Sequence, residues 1–481
     1  MDSGKIASNF IWRLAERFGA QGVTFVVSLV LARILGPEVY GVLALVTVFT
    51  TILQVFVDSG LGTALIQKKN ADDLDFSSVF FFNLGFSLLL YLLMFFAAPW
   101  IAVFYRMPTL RPVVRVLSLA IVISAVKNVQ QAYVSRNMLF RKFFFSTLGG
   151  TLAAAVIGIG MAILGFGVWA LVAQYLVNAA IDTLILWLTV HWRPQRRFSL
   201  SRLKELLSFG WKLLGESLFN TFYANVRSLV IGKLYSPSEL AFYNKAFQLP
   251  QMLAFNVDTS LDSVLLPTMS QRQEDHSEVL RLTRLFIQVG TYIMMPSMLG
   301  LALCAVPSIR LLLGSKWLPS APFMQLFCVS YAFYTMATAN YNAYKALGRS
   351  DLFLRVSMIS KCLGLLILLV TMRFGVWAIA LGTLLSALVN QLVVSVTSFR
   401  LLQYRFADQL RDILPNVLCS LVMGIPVYAL SRLPLPYYML LLIQVLAGAA
   451  AYILLSILLR VPSYATVLRL LRHTFHWHAS D

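Results

Sequence analysis

Apolar residues occur along this chain in long unbroken blocks, not in alternation with polar ones. The blocks run for about 20–27 residues and are separated by short polar segments rich in Lys and Arg. A helix needs about 20 apolar residues to cross the hydrocarbon core of a bilayer, whereas a barrel strand alternates over about 10. The pattern therefore predicts fourteen spanning helices: 10–34, 39–66, 77–105, 111–134, 143–165, 168–191, 206–232, 239–266, 282–313, 321–346, 352–373, 376–402, 412–431 and 436–460. Trp192 to Lys204 (WRPQRRFSLSRLK) is basic, carries Pro194 and reads as a linker.

One helix hairpin is written twice. GFGVWALVAQYLVNAAIDTLILWL starts at Gly165 and RFGVWAIALGTLLSALVNQLVVSV at Arg373, and the shared FGVWA segments are 208 residues apart. Pro99 with Pro307, Tyr133 with Tyr341 and Arg141 with Arg349 keep that spacing, while Pro37 with Pro237 and Asp58 with Asp258 are 200 apart. A longer loop near Ser270 to Ser277 accounts for the difference. The chain thus reads as an N-lobe (1–191), a basic linker (192–205), a C-lobe (206–402), two extra helices (403–460) and a cytoplasmic tail (461–481). Six helices per copy give both copies the same direction in the membrane, and paired lobes are the plan of a transporter with its site between them.

Composition agrees: 59% of the residues are hydrophobic, 12% are charged and the mean hydropathy is +0.76. No water-soluble fold of this length hides that much apolar surface. The N-terminus reads as a retained first helix, since Arg13, Glu16 and Arg17 interrupt any signal-peptide core. A net charge of +19 brings nucleic acid to mind. With the N-terminus inside, however, 23 Lys and Arg fall at inner loops and ends against nine outside, so the excess is a topology signal. Three of the outer nine, Arg106, Arg111 and Arg115, share one loop. Cys304, Cys328, Cys362 and Cys419 fall inside apolar blocks, with no spacing suited to disulfides or a metal.

A lone charge at mid-membrane costs at least about 2.5–3.5 kcal/mol, so the charges within helices demand a partner or a water-filled cavity. Phe10-Ile11-Trp12-Arg13 on the first helix is matched by Phe209-Gly210-Trp211-Lys212 on the seventh. Arg13 and Arg17 share a helical face, as do Lys212 and Glu216. Facing each other, these helices would make a basic cleft for an anionic substrate such as a pyrophosphate or acidic sugar; the alternative is that the cations snorkel to headgroups. Lys127 and Lys361 are further candidates, and Arg227 and Lys245 weaker ones. Asp58 and Asp258 are matched by the repeat, and Asp262 lies one turn beyond Asp258. These carboxylates, with Glu16 and Glu216, are candidates for carrying a proton or binding Na⁺, the alternative being salt bridges to neighbouring helices. Asp182 suits a polar contact between helices. Tyr334, Tyr341 and Tyr344, with Asn340 and Asn342, could form a sugar-binding face, though packing or an interfacial belt is the commoner reason for such residues.

Catalytic constellations and a Walker motif are missing, so a resident cofactor, a metal and an enzyme activity are not expected; an ion gradient, the membrane potential or the substrate's own gradient would supply the energy.

IWRLAERFGAQGVTFVVSLVLARILGPEVYGVLAL (11–45), with LARILGPEVYG at its heart, and VDSGLGTALIQ (57–67) resemble bacterial polysaccharide flippases of the Wzx type, in the multidrug/oligosaccharidyl-lipid/polysaccharide exporter superfamily. LARILGPEVYG recurs weakly as IGKLYSPSELAFY (231–243). The resemblance covers essentially the whole chain. It implies an all-α, V-shaped, multi-pass protein of the bacterial inner membrane with both termini cytoplasmic. It also implies a cationic cavity, in which Arg13, Arg17 and Lys212 match the basic positions, and a substrate of undecaprenyl-pyrophosphate-linked repeat units. A polysaccharide polymerase and chain-length or export machinery are the expected partners. A peptidoglycan-precursor flippase and a multidrug exporter of the same superfamily stay open as alternatives.

Overall fold

The computed structural model describes residues 3–58 and 60–477, with side chains at all but 3–11, 13–18, 209, 212 and 470–477. Its described residues form helices joined by short turns, in two compact units, 1–241 and 242–481. The first unit holds α1 (Ser3–Ile34), α2 (Pro37–Asp58), α3 (Leu61–Gln67), α4 (Asp73–Tyr105), α5 (Leu110–Leu117), α6 (Leu119–Arg136), α7 (Phe140–Ile163), α8 (Val168–Thr189) and α9 (Leu200–Leu234). Next comes α10 (Pro237–Ser270), which belongs to the second unit from Phe242 onward. The second unit continues with α11 (His276–Leu303), α12 (Ala305–Leu312), a 3-10 turn (Ser315–Ser320), α13 (Ala321–Ala332), α14 (Tyr334–Ala346), α15 (Ser350–Thr371), α16 (Val376–Leu402), α17 (Phe406–Leu430), α18 (Tyr437–Leu458) and α19 (Pro462–Trp477).

Among the described residues, ten helical runs are long and apolar enough to cross a membrane: α2–α3, α4, α5–α6, α7, α8, α11, α15, α16, α17 and α18. The other four expected spans coincide with α1, α9, α10 and the α13–α14 run. Polar and charged residues along α9, α10 and α13–α14 lower their hydropathy, and the described side chains of α1 give a shorter apolar stretch, Gly19–Ile34. The protein is a multi-pass membrane protein with an all-helical fold.

The repeated FGVWA has a local cause. Gly167 and Gly375 precede α8 and α16 with φ of 55° and 100°. A positive φ carries little steric cost only for glycine, so each copy reverses the chain at the same point and lays a hairpin, α7 on α8 and α15 on α16.

At one end of the first unit, polar contacts fix the segment that sequence reads as a linker. Asp72 and Asp75 form a capping box at the start of α4: the Asp72 carboxylate accepts the Asp75 N–H at 3.0 Å and the Asp75 carboxylate accepts the Asp72 N–H at 3.2 Å. Asp75, wholly buried, also pairs with Lys68 at 3.1 Å and Arg202 at 3.5 Å, and Lys68 reaches Glu205 at 2.9 Å. The Trp192 indole donates to Asp73 at 3.1 Å, and the Arg136 guanidinium caps carbonyls at the end of α3, including Leu65 O at 2.7 Å. Phe76, Leu186, Trp192 and Leu203 form the core beneath. The pinned stretch is short, because α9 already begins at Leu200.

The repeat counts α9 as the first helix of the second copy, yet it packs on α2, α3 and α4. Glycines make this possible. A Cβ on Gly41 would lie 1.9 Å from Pro237 O, and one on Gly60 (φ 87°) would lie 2.5 Å from Gly210 O. Backbone meets backbone at both points, which no larger residue permits.

Candidate functional site

Several intramembrane polar groups of the first unit meet in a seam across α2, α6 and α8. The Asp58 carboxylate, at the end of α2, accepts hydrogen bonds from Gln54 Nε2 on its own helix (2.8 Å) and Asn128 Nδ2 on α6 (2.9 Å). The neighbouring Lys127 turns to α8 and pairs with Asp182 at 3.2 Å; the two side chains are only 20% and 11% exposed. The Lys127 charge is therefore shared with Asp182 rather than presented alone to a cavity. α8 can bring Asp182 this close because Gly150 on α7 leaves room: a Cβ there would stand 3.0 Å from Asp182 Cβ.

The second unit repeats the theme between α10 and α14. Asn342 Nδ2 donates to Asp262, while a buried Oδ1 of Asp258, one turn earlier, meets no hydrogen-bond partner. Asp58, Asp258 and Asp262 form no salt bridge with a described cation; amide side chains serve Asp58 and Asp262 instead. In each copy the second helix of the repeat thus offers an aspartate to an asparagine on the fourth. Asn128 was not singled out in the sequence, and Asn342 was noted only with the aromatic residues of α14, not as a partner for a carboxylate. The only signal for them is that they are amides within apolar blocks.

The remaining candidates are spread out. Glu216 is exposed on α9 and Lys361 is half-buried on α15. Arg227 lies over the Tyr223 ring at 5.3 Å, and Lys245 donates to Gln248 at 3.4 Å. The side chains of Arg13, Glu16, Arg17 and Lys212 lie outside the described residues. Beside them, Trp12 packs on Phe144 at 5.3 Å with the Arg141 guanidinium 5.5 Å from its ring. The aromatic and amide residues of α14 are core: Tyr344, Asn340 and Asn342 are fully buried. Ser398 joins two of them, bonding Tyr344 at 2.7 Å and Asn340 at 2.6 Å.

A groove of about 540 Å³ lies where α11, α17 and α18 meet. Its wall is apolar, with Leu253, Ile293, Pro296, Val427, Val445 and Ile453 among its residues. Pro296 has no N–H to give to Tyr292 O one turn back. That orphaned carbonyl accepts the Tyr452 hydroxyl of α18 at 2.9 Å, and the Tyr292 hydroxyl donates to Ser456 at 3.1 Å. Gln444 Nε2 donates to Val427 O at 3.0 Å. The two helices beyond the repeat are thus bonded to α11 and to each other, and the groove they enclose is greasy rather than polar.

A family signature described as "Polysaccharide biosynthesis protein" matches residues 30–322, more than half of the chain. The chain belongs to the polysaccharide biosynthesis protein family. Relatives of this family member include the succinoglycan biosynthesis transport protein ExoT of Rhizobium meliloti (strain 1021), 28% identical over 344 residues, 72% of this chain and 70% of that one. The lipopolysaccharide biosynthesis protein WzxC of Escherichia coli (strain K12) is 26% identical over 79% of this chain and 77% of its own. Among solved structures, lipid II flippase MurJ in an inward closed conformation superposes with a TM-score of 0.75 at 16% identity, over 95% of this chain and 99% of MurJ. An inward-facing multidrug resistance MATE family transporter of the MOP superfamily gives 0.61 at 15% identity, over 81% and 98%. The polysaccharide biosynthesis family member therefore has the MurJ and MATE fold.

Proposed function

We propose that this chain is a flippase that moves polyprenyl-diphosphate-linked oligosaccharide repeat units across the bacterial inner membrane, for a surface polysaccharide. Both termini are cytoplasmic, transport is by alternating access, and no covalent step is catalysed. The observation that carries this reading is that a multi-pass helical chain belongs to the polysaccharide biosynthesis family along more than half its length. One relative is named a biosynthesis transport protein, which supports transport over polymer synthesis.

The apolar groove supports a substrate with a hydrocarbon tail. Entry of a prenyl chain there costs little, because the groove wall and lipid are equally apolar. The diphosphate head is the expensive part. Arg13, Arg17 and Lys212 are the residues to receive it, since charge-assisted hydrogen bonds offset its dehydration. Lys361 is a further cation for the head, and Lys127 acts with Asp182 as a pair. Asp58, Asp258, Asp262, Glu16 and Glu216 are the groups for a coupling proton or Na⁺. The flipped unit passes to a polymerase and chain-length machinery.

The test is deletion of the gene, followed by lipid extraction and surface-polysaccharide analysis. Loss of polymer with linked repeat units trapped on the cytoplasmic side is expected, and their mass identifies the sugar. Unchanged polymer, or units accumulating on the outer side, overturns the reading. Trapped peptidoglycan precursor would instead make the chain a peptidoglycan-precursor flippase.

A further inference from the structure

The outward end of α4 carries a second feature that flipping does not use. α4 contains Pro99, which leaves Phe95 O without its helical N–H. Arg115 of α5 takes that carbonyl, its Nε donating at 3.2 Å while the guanidinium lies 4.2 Å from the Phe95 ring centroid. α5 is amphipathic: Leu110, Val113, Val114 and Leu117 are at most 1% exposed. Arg111 and Arg115 stand one turn apart on its other face. Together with Tyr91, Phe95, Val116 and Leu119 they line a cavity of about 320 Å³.

Two facts about this cavity point to a ligand. From Phe76 to Ile181 the sequence has no Asp or Glu. No described carboxylate pairs with Arg111 or Arg115 either, so two guanidinium groups sit beside an apolar wall without a counter-charge. The second fact is the setting. Leu88, Leu92, Phe96 and Trp100 on α4 are 50%, 43%, 65% and 75% exposed, as befits side chains that meet lipid. Tyr91 and Phe95 are one turn apart on the same helix, and at 1.5 Å per residue Tyr91 lies about 13 Å below Trp100 along the axis. The cavity is cationic at its rim and aromatic and aliphatic below.

We infer that α4 and α5 form a binding site for an anionic membrane phospholipid. Arg111 and Arg115 clasp the headgroup phosphate through their paired N–H donors, which match phosphate oxygens as an ammonium cannot. An acyl chain runs down over Phe95 and Tyr91 beside Leu119. The lipid supplies the counter-charge that the Arg111 and Arg115 side chains lack. The inference is independent of which molecule the protein transports.

The experiment uses the full chain, purified in non-ionic detergent and incorporated into nanodiscs. Native mass spectrometry counts retained lipids, and a fluorescent phosphatidylglycerol reports affinity. Wild type is expected to retain phosphatidylglycerol over phosphatidylcholine. The Arg111→Gln/Arg115→Gln variant should bind it at least tenfold more weakly, while Arg106→Gln, outside the cavity, should bind as wild type. Equal retention by the double variant overturns the site. If that variant fails to fold, Arg111→Gln alone, on an exposed side chain, must still weaken binding several-fold, and no change overturns the proposal. Two competitors fix the ligand class. Displacement by millimolar inorganic phosphate would reduce the site to a phosphate site, and binding of polyprenyl phosphate without phosphatidylglycerol would assign it to the carrier lipid; either result overturns the phospholipid assignment.

Discussion

Lys127 shows how a single residue changes meaning once its neighbours are known. In the sequence it is an intramembrane cation in search of an anionic ligand; in the fold it faces Asp182 at 3.2 Å. Breaking a buried pair by removing one member typically costs about 3–5 kcal/mol, whereas replacing both by apolar residues is often nearly neutral. Because both side chains keep some exposure, the lower end of that range applies. Lys127→Met and Asp182→Leu should each lower the melting temperature in detergent, and the double variant should recover most of the loss. Polysaccharide output then separates two roles: a structural pair predicts an active double variant, and a pair that meets substrate or the coupling ion predicts a stable, inactive one. The first-unit aspartate invites the same test. Asp58→Asn keeps its acceptor oxygen for the Asn128 amide while removing the charge, so normal output from it would strip Asp58 of any coupling role.

Elements in this chain are set partly by their caps and partly by where two backbones must touch. Asp72 caps α4, and replacing such a residue by alanine typically costs about 1 kcal/mol. The Asp75 N–H that its carboxylate accepts, with help from Arg202, holds the Asp72 carboxyl below the usual carboxylate range. A depressed folded-state pKa gives stability that is present above about pH 4 and lost as pH falls through the folded-state value. Asp72→Asn should therefore flatten the acid limb of a stability–pH curve measured by thermal unfolding; an unchanged limb would place its origin elsewhere. Gly60 is less forgiving. Gly60→Ala adds left-handed strain of about 1–3 kcal/mol and a collision with Gly210 O, so folded yield on size exclusion should fall sharply. Ten of the expected spans and the doubled FGVWA hairpin were legible because hydrophobic block length and internal similarity leave marks in sequence, whereas the positive-φ turns at Gly167 and Gly375 were not read from it. The docking of α9 on the first unit was not. It depends on Gly41 meeting Pro237 and Gly60 meeting Gly210, contacts between residues far apart in sequence that no local pattern announces. The Asn128 and Asn342 contacts were hidden for a related reason, since hydropathy shows that an amide lies in a block and not which carboxylate it meets.

On the scale of the whole molecule, the repeat leaves α17 and α18 without counterparts, and the groove gives those two helices a use. α18 is bonded to α11 through Tyr452, Tyr292 and Ser456, α17 through Asn416 Nδ2 donating to Gln288 O at 2.9 Å, and the two help to wall an apolar space of about 540 Å³. A six-helix repeat has no need of that space, but a transporter whose cargo drags a hydrocarbon chain does. Gly300 lines the groove, and a Cβ built there meets nothing within 4 Å, so a large side chain can occupy the space without disturbing the core. Replacing a helical glycine also favours the helix, by about 1 kcal/mol for alanine and less for phenylalanine, so damage to stability is not expected. Gly300→Phe should keep membrane abundance and melting temperature while cutting polymer output several-fold, with linked repeat units building up inside. Gly300→Ala, which fills almost nothing, should behave as wild type. Full output from Gly300→Phe would show that the tail travels elsewhere, and the two additional helices would then need another explanation. Failure of Gly300→Ala as well would point to a backbone requirement at that turn of α11 rather than to an occupied groove.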